Sequence, residues 1–372
     1  MLFFTASNVW SISFFFTLTY ITFIFSTITY FLPNLNNNNN NNTIKNKSGF
    51  YFVSTYETIY FLVSPIISVL VIINLWSSSN TSSWFGHIVY TSFQYKMSLF
   101  ILLTFLVLIY LYSSVTYISS KEIYDFIITI FNFMYWIIIL FFTNSAFTTV
   151  FVIEVLSTLI FLLLITSVYS SNFFYKNLDF SSHSSFENSN PHTLIQSILF
   201  FFWVSLLASL NLFLFIIFLY EKIYTFDWYL IEYIFSYFVN VNSFKEIYTL
   251  GIVWFIIILS IFLKCGIAPF FLWKPTFFKG MTFSALLFYI VFFYFYLFLY
   301  LIYFLTSYFH ELFYFYTFVS LVIVFFGIFT LFFILCETFF IKTFLAVSSI
   351  LNSLLLLLAI SSSHTVDHIF FL

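Results

Sequence analysis

The chain has 372 residues, of which 63% are hydrophobic, 27% aromatic and 6% charged, with a formal net charge of −2 at pH 7. A water-soluble domain carries roughly 25% charged residues, so this composition, with a mean hydropathy of +1.08, excludes one. No basic patch is present to hold phosphates, which excludes a nucleic-acid binder. The only cysteines, Cys265 and Cys336, lie in apolar runs, and two are too few for a disulfide framework or a four-cysteine metal or iron–sulfur site.

Residue usage is lopsided, with 64 Phe and 28 Tyr against 6 Gly and 5 Pro. All 11 basic residues are lysines. Gly, Pro, Ala and Arg have GC-rich codons, so this usage predicts an AT-rich, organellar coding genome. The first basic residue is Lys45, so neither a charged signal region nor an Arg-rich transit peptide is expected.

A hydrocarbon core of about 30 Å needs roughly 20 apolar residues of helix, which predicts about ten spans. In chain order they cover 9–32, 51–76, 89–112, 124–146, 147–169, 193–220, 248–273, 282–306, 312–336 and 342–361. The Phe, Ile and Tyr content would favour strands in water. In lipid every backbone group must be satisfied within its own segment, so helices are expected at these lengths. The fold class is therefore all-α, a polytopic transmembrane helical bundle forming a single membrane domain. Between the spans, 34–42 is an asparagine tract read as a disordered loop, and 77–83 is a polar turn. Residues 170–192 and 221–247 are expected as extramembrane loops, the second carrying Trp228 and Tyr229 at an interface.

Ionisable residues in mid-bilayer cost at least about 2.5–3.5 kcal/mol each and mark functional sites by default. Glu154 is central in the fifth span and Lys264 late in the seventh. Lys96 and Glu57 lie nearer span ends, where they can snorkel, and Asp125 and Glu337 can reach headgroups. Ser157 and Thr158, at i+3 and i+4 from Glu154, are expected to form a polar stripe with it. Ser260 lies one turn before Lys264, and Gly266, Pro269 and Pro275 follow it, so the seventh helix is expected to break there. Broken helices in membranes line polar cavities and ion sites. A Glu–Lys pair of changing spacing would act as a proton switch, whereas a fixed one neutralises itself and sets helix register. No Gly-rich phosphate loop occurs, and His364 and His368 at the chain end are a weak metal signal. No matched histidines at mid-depth suggest haem.

The stretch from Lys264 through Gly266, Pro269, Phe270, Trp273 and Pro275 to Gly280 resembles a known signature. It is similar to the broken seventh helix of the antiporter-like membrane subunits of respiratory complex I, in the form found in NADH dehydrogenase subunit 2. Phe271 and Thr276 depart from that pattern, which has His and Asp at those places. Glu154-Val-Leu-Ser157 resembles the fifth-helix glutamate motif. Ser205, Ala208 and Ser209 match its sixth-helix break, and Lys342 to Ile350 its tenth-helix start.

The resemblance implies that Glu154 and Lys264 are the paired charges of a proton-transfer module, with no cofactor in this chain. It implies a membrane arm that couples NADH–ubiquinone electron transfer to proton translocation in the mitochondrial inner membrane. Other membrane-arm subunits would be its partners, with Lys342 in a supporting role near a helix end. Tyr294 stands where the family carries a central lysine, and Lys96 is one candidate to replace it. The family continues beyond the region matched here, so the expectation is either a second chain that supplies further helices, the reading favoured, or a shortened subunit. Two rival readings are a structural scaffold subunit without proton transfer and a stand-alone cation/proton antiporter.

Overall fold

The computed structural model describes residues 81–83, 86–115, 120–177, 191–241, 244–267, 269–281, 283–308, 313–336 and 340–361. The first two expected spans, the asparagine tract, Glu57, Glu337, His364 and His368 lie outside these residues.

A short antiparallel hairpin, β1 (Thr81–Ser83) and β2 (Ile88–Tyr90), occupies the end of the expected polar turn. The helices that follow are α1 (Ser92–Val115), α2 (Ser120–Phe142), α3 (Ala146–Asn177) and α4 (Pro191–Ile223). Next come α5 (Trp228–Asn240), α6 (Phe244–Cys265) and the short α7 (Trp273–Gly280). A helical rod runs through α8 (Phe283–Phe288), a π-helical segment (Tyr289–Tyr294) and α9 (Phe295–Tyr308). The last described helices are α10 (Phe313–Cys336) and α11 (Ile341–Ser361). The protein is all-α, and each expected span from residue 89 onward falls mostly on helix, the third starting in β2 and the seventh running past the end of α6. Among the described residues, Ala146–Ile165, Ile195–Ile223, Ile247–Cys265 and Ile341–Leu358 are long and apolar enough to cross a membrane unaided.

The chain divides into two compact units. The first comprises Met1–Asn144 and Thr166–Asp179. In it α1 packs on α2, with the Tyr95 and Phe142 rings edge to face at 6.2 Å. Gln94 Oε1 accepts the Thr91 N–H at 2.8 Å, which closes the start of α1. The Asn144 amide donates to the Gly86 carbonyl and so ties the end of α2 to the hairpin turn.

The second unit comprises Ser145–Ile165 and Phe180–Leu372 and holds the residues of interest. Ser145 caps α3 by accepting the Thr148 N–H on its hydroxyl. Helix α4 packs along α6, α10 along α11, and α7 lodges against both α4 and α11. Serine and threonine hydroxyls along α4 and α11, such as those of Ser205, Ser209 and Ser349, donate to carbonyls three residues back. Each such hydroxyl is satisfied within its own helix, which makes it tolerable in lipid. Large apolar side chains lie exposed on α4 (Trp203, Phe213, Ile217) and α10 (Phe325, Phe329, Phe332), the pattern of helix faces turned to hydrocarbon.

Helix occupies part of both expected loops. Helix α3 continues to Asn177 and α4 starts at Pro191. Helix α5 lies within 221–247, where Trp228, Ile231 and Phe235 recur at i, i+3 and i+7 and are buried. Trp228 turns inward and packs against Phe215 at 6.2 Å and Phe304 at 4.5 Å. The interspersed charges hid this apolar stripe.

Candidate functional site

Helix α6 ends as its sequence requires. Gly266 adopts φ +63°, the left-handed region that suits glycine. The Ile267 N–H donates to the Phe262 carbonyl and the Gly266 N–H to the Leu263 carbonyl, which together form a Schellman close. Pro269 sits in the following turn, exposed, where its missing N–H costs nothing. Pro275, expected to help break the helix, instead lies in the first turn of α7, a position proline tolerates.

This break puts Lys264 in the last turn of α6, at the negative end of the helix dipole. Its side chain is 1% exposed, and its Nζ lies 2.9 Å from Oε1 of Glu154 on α3. The Glu154 side chain is 24% exposed, so the acid reaches the edge of the unit while the base does not. Lys264 Nζ also donates to Ser157 Oγ at 3.2 Å, and Ser157 in turn donates to the Glu154 main-chain carbonyl at 2.8 Å. Glu154, Ser157 and Lys264 therefore form one closed cluster. Thr158 does not join it: its hydroxyl donates to the Val155 carbonyl on an exposed face, which corrects the expected stripe. The Ser260 hydroxyl is buried and donates to the Ile257 carbonyl.

The surroundings are aromatic. Phe201 on α4 stacks on Phe277 at 5.3 Å, and Phe277 meets Tyr289 at 5.0 Å. The gap beside Lys264, lined by Ser157, Phe201, Val204, Ser205, Trp273 and Phe293, is too narrow for a water molecule.

The π segment brings its two tyrosines to two different partners. The Tyr289 hydroxyl faces the Lys264 carbonyl at 3.4 Å, and the Tyr294 hydroxyl donates to the Ser349 carbonyl of α11 at 2.9 Å. Such segments recur at functional positions in helices. Sequence reasoning missed one residue here. Lys274, in the first turn of α7, is wholly buried, and its Nζ lies 3.7 Å from the centroid of the Tyr294 ring. Tyr294, the residue standing where the resemblance places a lysine, thus receives a lysine from a different helix. A lysine in Trp-Lys-Pro beside a turn carries no sequence signal for burial.

Lys96 is exposed on α1 in the first unit, and Lys342 is half-buried at the start of α11. Among the described residues, no group of three or more His, Cys, Asp or Glu side chains could hold a metal ion.

No protein-family model and no curated protein matches the sequence. Its fold is similar to that of a chain in the membrane-bound sulfane sulfur reductase, an archaeal respiratory membrane complex, with a TM-score of 0.60 at 13% identity. The match covers 85% of this chain and 49% of the other, so the chain spans about half the length of its neighbour. At that identity the likeness establishes a shared membrane-helical fold.

Proposed function

We propose that this chain is a membrane-arm subunit of a proton-pumping NADH:ubiquinone oxidoreductase and takes part in its proton translocation. One observation carries the reading: a lysine buried at a helix break, paired with a glutamate at 2.9 Å. Charges are expensive in a bilayer, and a break in the helix is where membrane proteins place ion sites. The fold likeness to a respiratory membrane complex and the motif resemblance around Lys264 both support it. In this mechanism a proton arriving at Glu154 neutralises the carboxylate and releases Lys264 from the pair. The freed ammonium then passes a proton onward, and the Glu154 proton moves to the neutral amine, so that the ion pair re-forms with one proton taken in and one given out. The chain does no redox chemistry of its own in this reading, its partners are other membrane subunits of the complex, and the AT-rich residue usage supports a mitochondrial inner membrane as its location.

The dry gap beside Lys264 favours a second reading, a scaffold subunit whose ion pair only fixes helix packing. Proton output per electron, measured in vesicles containing the whole complex, separates the two. A Glu154→Gln complex that assembles but pumps fewer protons supports translocation, and unchanged stoichiometry establishes the scaffold.

A further inference from the structure

Lys274 is a buried base that the Glu154–Lys264 pair does not use. Its Nζ is enclosed and has no hydrogen-bond partner. Its nearest compensation is the face of Tyr294, with Phe278 farther off at 5.9 Å. A ring face gives an ammonium only part of what water gives it. An amine in that position is therefore poised to release its proton wherever water comes within reach.

Water has a place nearby. Tyr294 also lines a crevice of about 400 Å³ between the helical rod and α11, whose wall is mostly apolar and whose polar groups come from Tyr294, Ser349 and Asn352. A water there needs two to four polar partners, and the Tyr294 hydroxyl, Ser349 and Asn352 are the groups that supply them. The Tyr294 ring thus touches the ammonium and also forms part of the crevice wall. One hydrogen bond, to the Ser349 carbonyl, holds its hydroxyl.

We propose that Lys274 is a second proton-binding residue, exchanging its proton with water in the crevice lined by Tyr294, Ser349 and Asn352 when the Tyr294 ring swings aside. In the outward step the ammonium gives a proton to a crevice water, leaving a neutral amine and a hydronium ion. The return step is the reverse. Of the titratable groups, Tyr294 on the π segment faces Lys274 and Cys265 on α6 acts on it electrostatically, while α7 itself carries Lys279 in its last turn. Helix α4 adds Glu221 and Lys222, exposed at its C-terminal end, and α11 adds Lys342 at its start. The inference rests on the reading of the chain as a proton-moving subunit and adds a second station to it.

The test uses the intact complex with nitrogen-15-labelled lysine. The Nζ resonance lost in Lys274→Met identifies the residue, and Lys274→Arg, which keeps the contact with the ring, identifies it equally if the Met variant fails to assemble. The expected result is a resonance that converts between ammonium and amine with pH and exchanges with deuterated solvent, faster in Tyr294→Ala. A single ammonium resonance that neither converts nor exchanges overturns the proposal. The Lys274→Arg complex should also lose proton output, because an arginine side chain does not release its proton; retained output counts against a relay role. Proton output in Glu154→Gln reports on the subunit's function, so failure there is distinguishable from failure here.

Discussion

Lys264 and Glu154 meet at 2.9 Å although 109 intervening residues separate them, and the contact joins the broken end of α6 to the middle of α3. Removing Lys264 leaves the partly buried Glu154 carboxylate without its partner, a loss that reaches about 3–5 kcal/mol when the remaining charge is fully buried, whereas replacing both with apolar residues of similar volume is often neutral. Lys264→Met should therefore lower the thermal stability of the complex more than the Lys264→Met, Glu154→Leu double variant does. Melting curves of the three complexes check this, and a double variant less stable than the single one would contradict the packing described.

Ser157 and Thr158 are neighbours with opposite surroundings. Ser157 Oγ accepts from Lys264 in a buried cluster, whereas the Thr158 hydroxyl only donates back into its own helix on an exposed face. Ser157→Ala should cost about 1–3 kcal/mol, since it deprives a charged group of an acceptor. Thr158→Ala should leave both melting temperature and proton output within error. Equal effects from the two would place the polar stripe on the wrong face of α3.

Gly266 cannot take a side chain cheaply. An added Cβ would lie 3.1 Å from Lys274 Cδ and 3.1 Å from Trp273 Cζ2, at a backbone φ of +63°. Strain of this kind costs about 1–3 kcal/mol, and here it would also displace the lysine behind Tyr294. Gly251 meets nothing within 4 Å and lies inside α6, so Gly251→Ala should be neutral or stabilising by about 0.5–1 kcal/mol. Parallel melts of the two variants make the comparison. A harmless Gly266→Ala would mean that the turn into α7 is looser than its hydrogen bonds indicate.

The sequence carried the pair but not its surroundings. Glu154 and Lys264 were legible because a charge in an apolar span has few bland explanations, and Gly266 and Pro269 because each acts on the backbone where it stands. Ser157 and Thr158 were equally near Glu154 along the chain, and only packing separates them. Lys274 was invisible because its burial depends on α4 and α11 closing over α7, contacts far away in sequence. The apolar stripe of α5 was hidden for a different reason, since charged residues interrupt the run that a span-length ruler looks for.

The two cysteines offer a probe of whether the site opens. Cys265 ends α6 beside Lys264 and is buried, while Cys336 ends α10 and is exposed. The thiolate is the form that attacks thiol reagents, and it forms only where water reaches the sulfur. Cys336, at the end of an apolar span, can reach the headgroup region, whereas Cys265 is enclosed by the same packing that encloses Lys274. A membrane-permeant maleimide applied to the native complex should therefore modify Cys336 alone, with Cys265 reacting only after the protein is unfolded in strong detergent. Mass spectrometry of the digested chain locates the label. Slow labelling of Cys265 that accelerates during turnover would mean that the helix break opens to water as the complex works, and would weigh against the scaffold reading. Protection of Cys265 both at rest and during turnover would mean that any proton movement leaves the packing at the end of α6 intact.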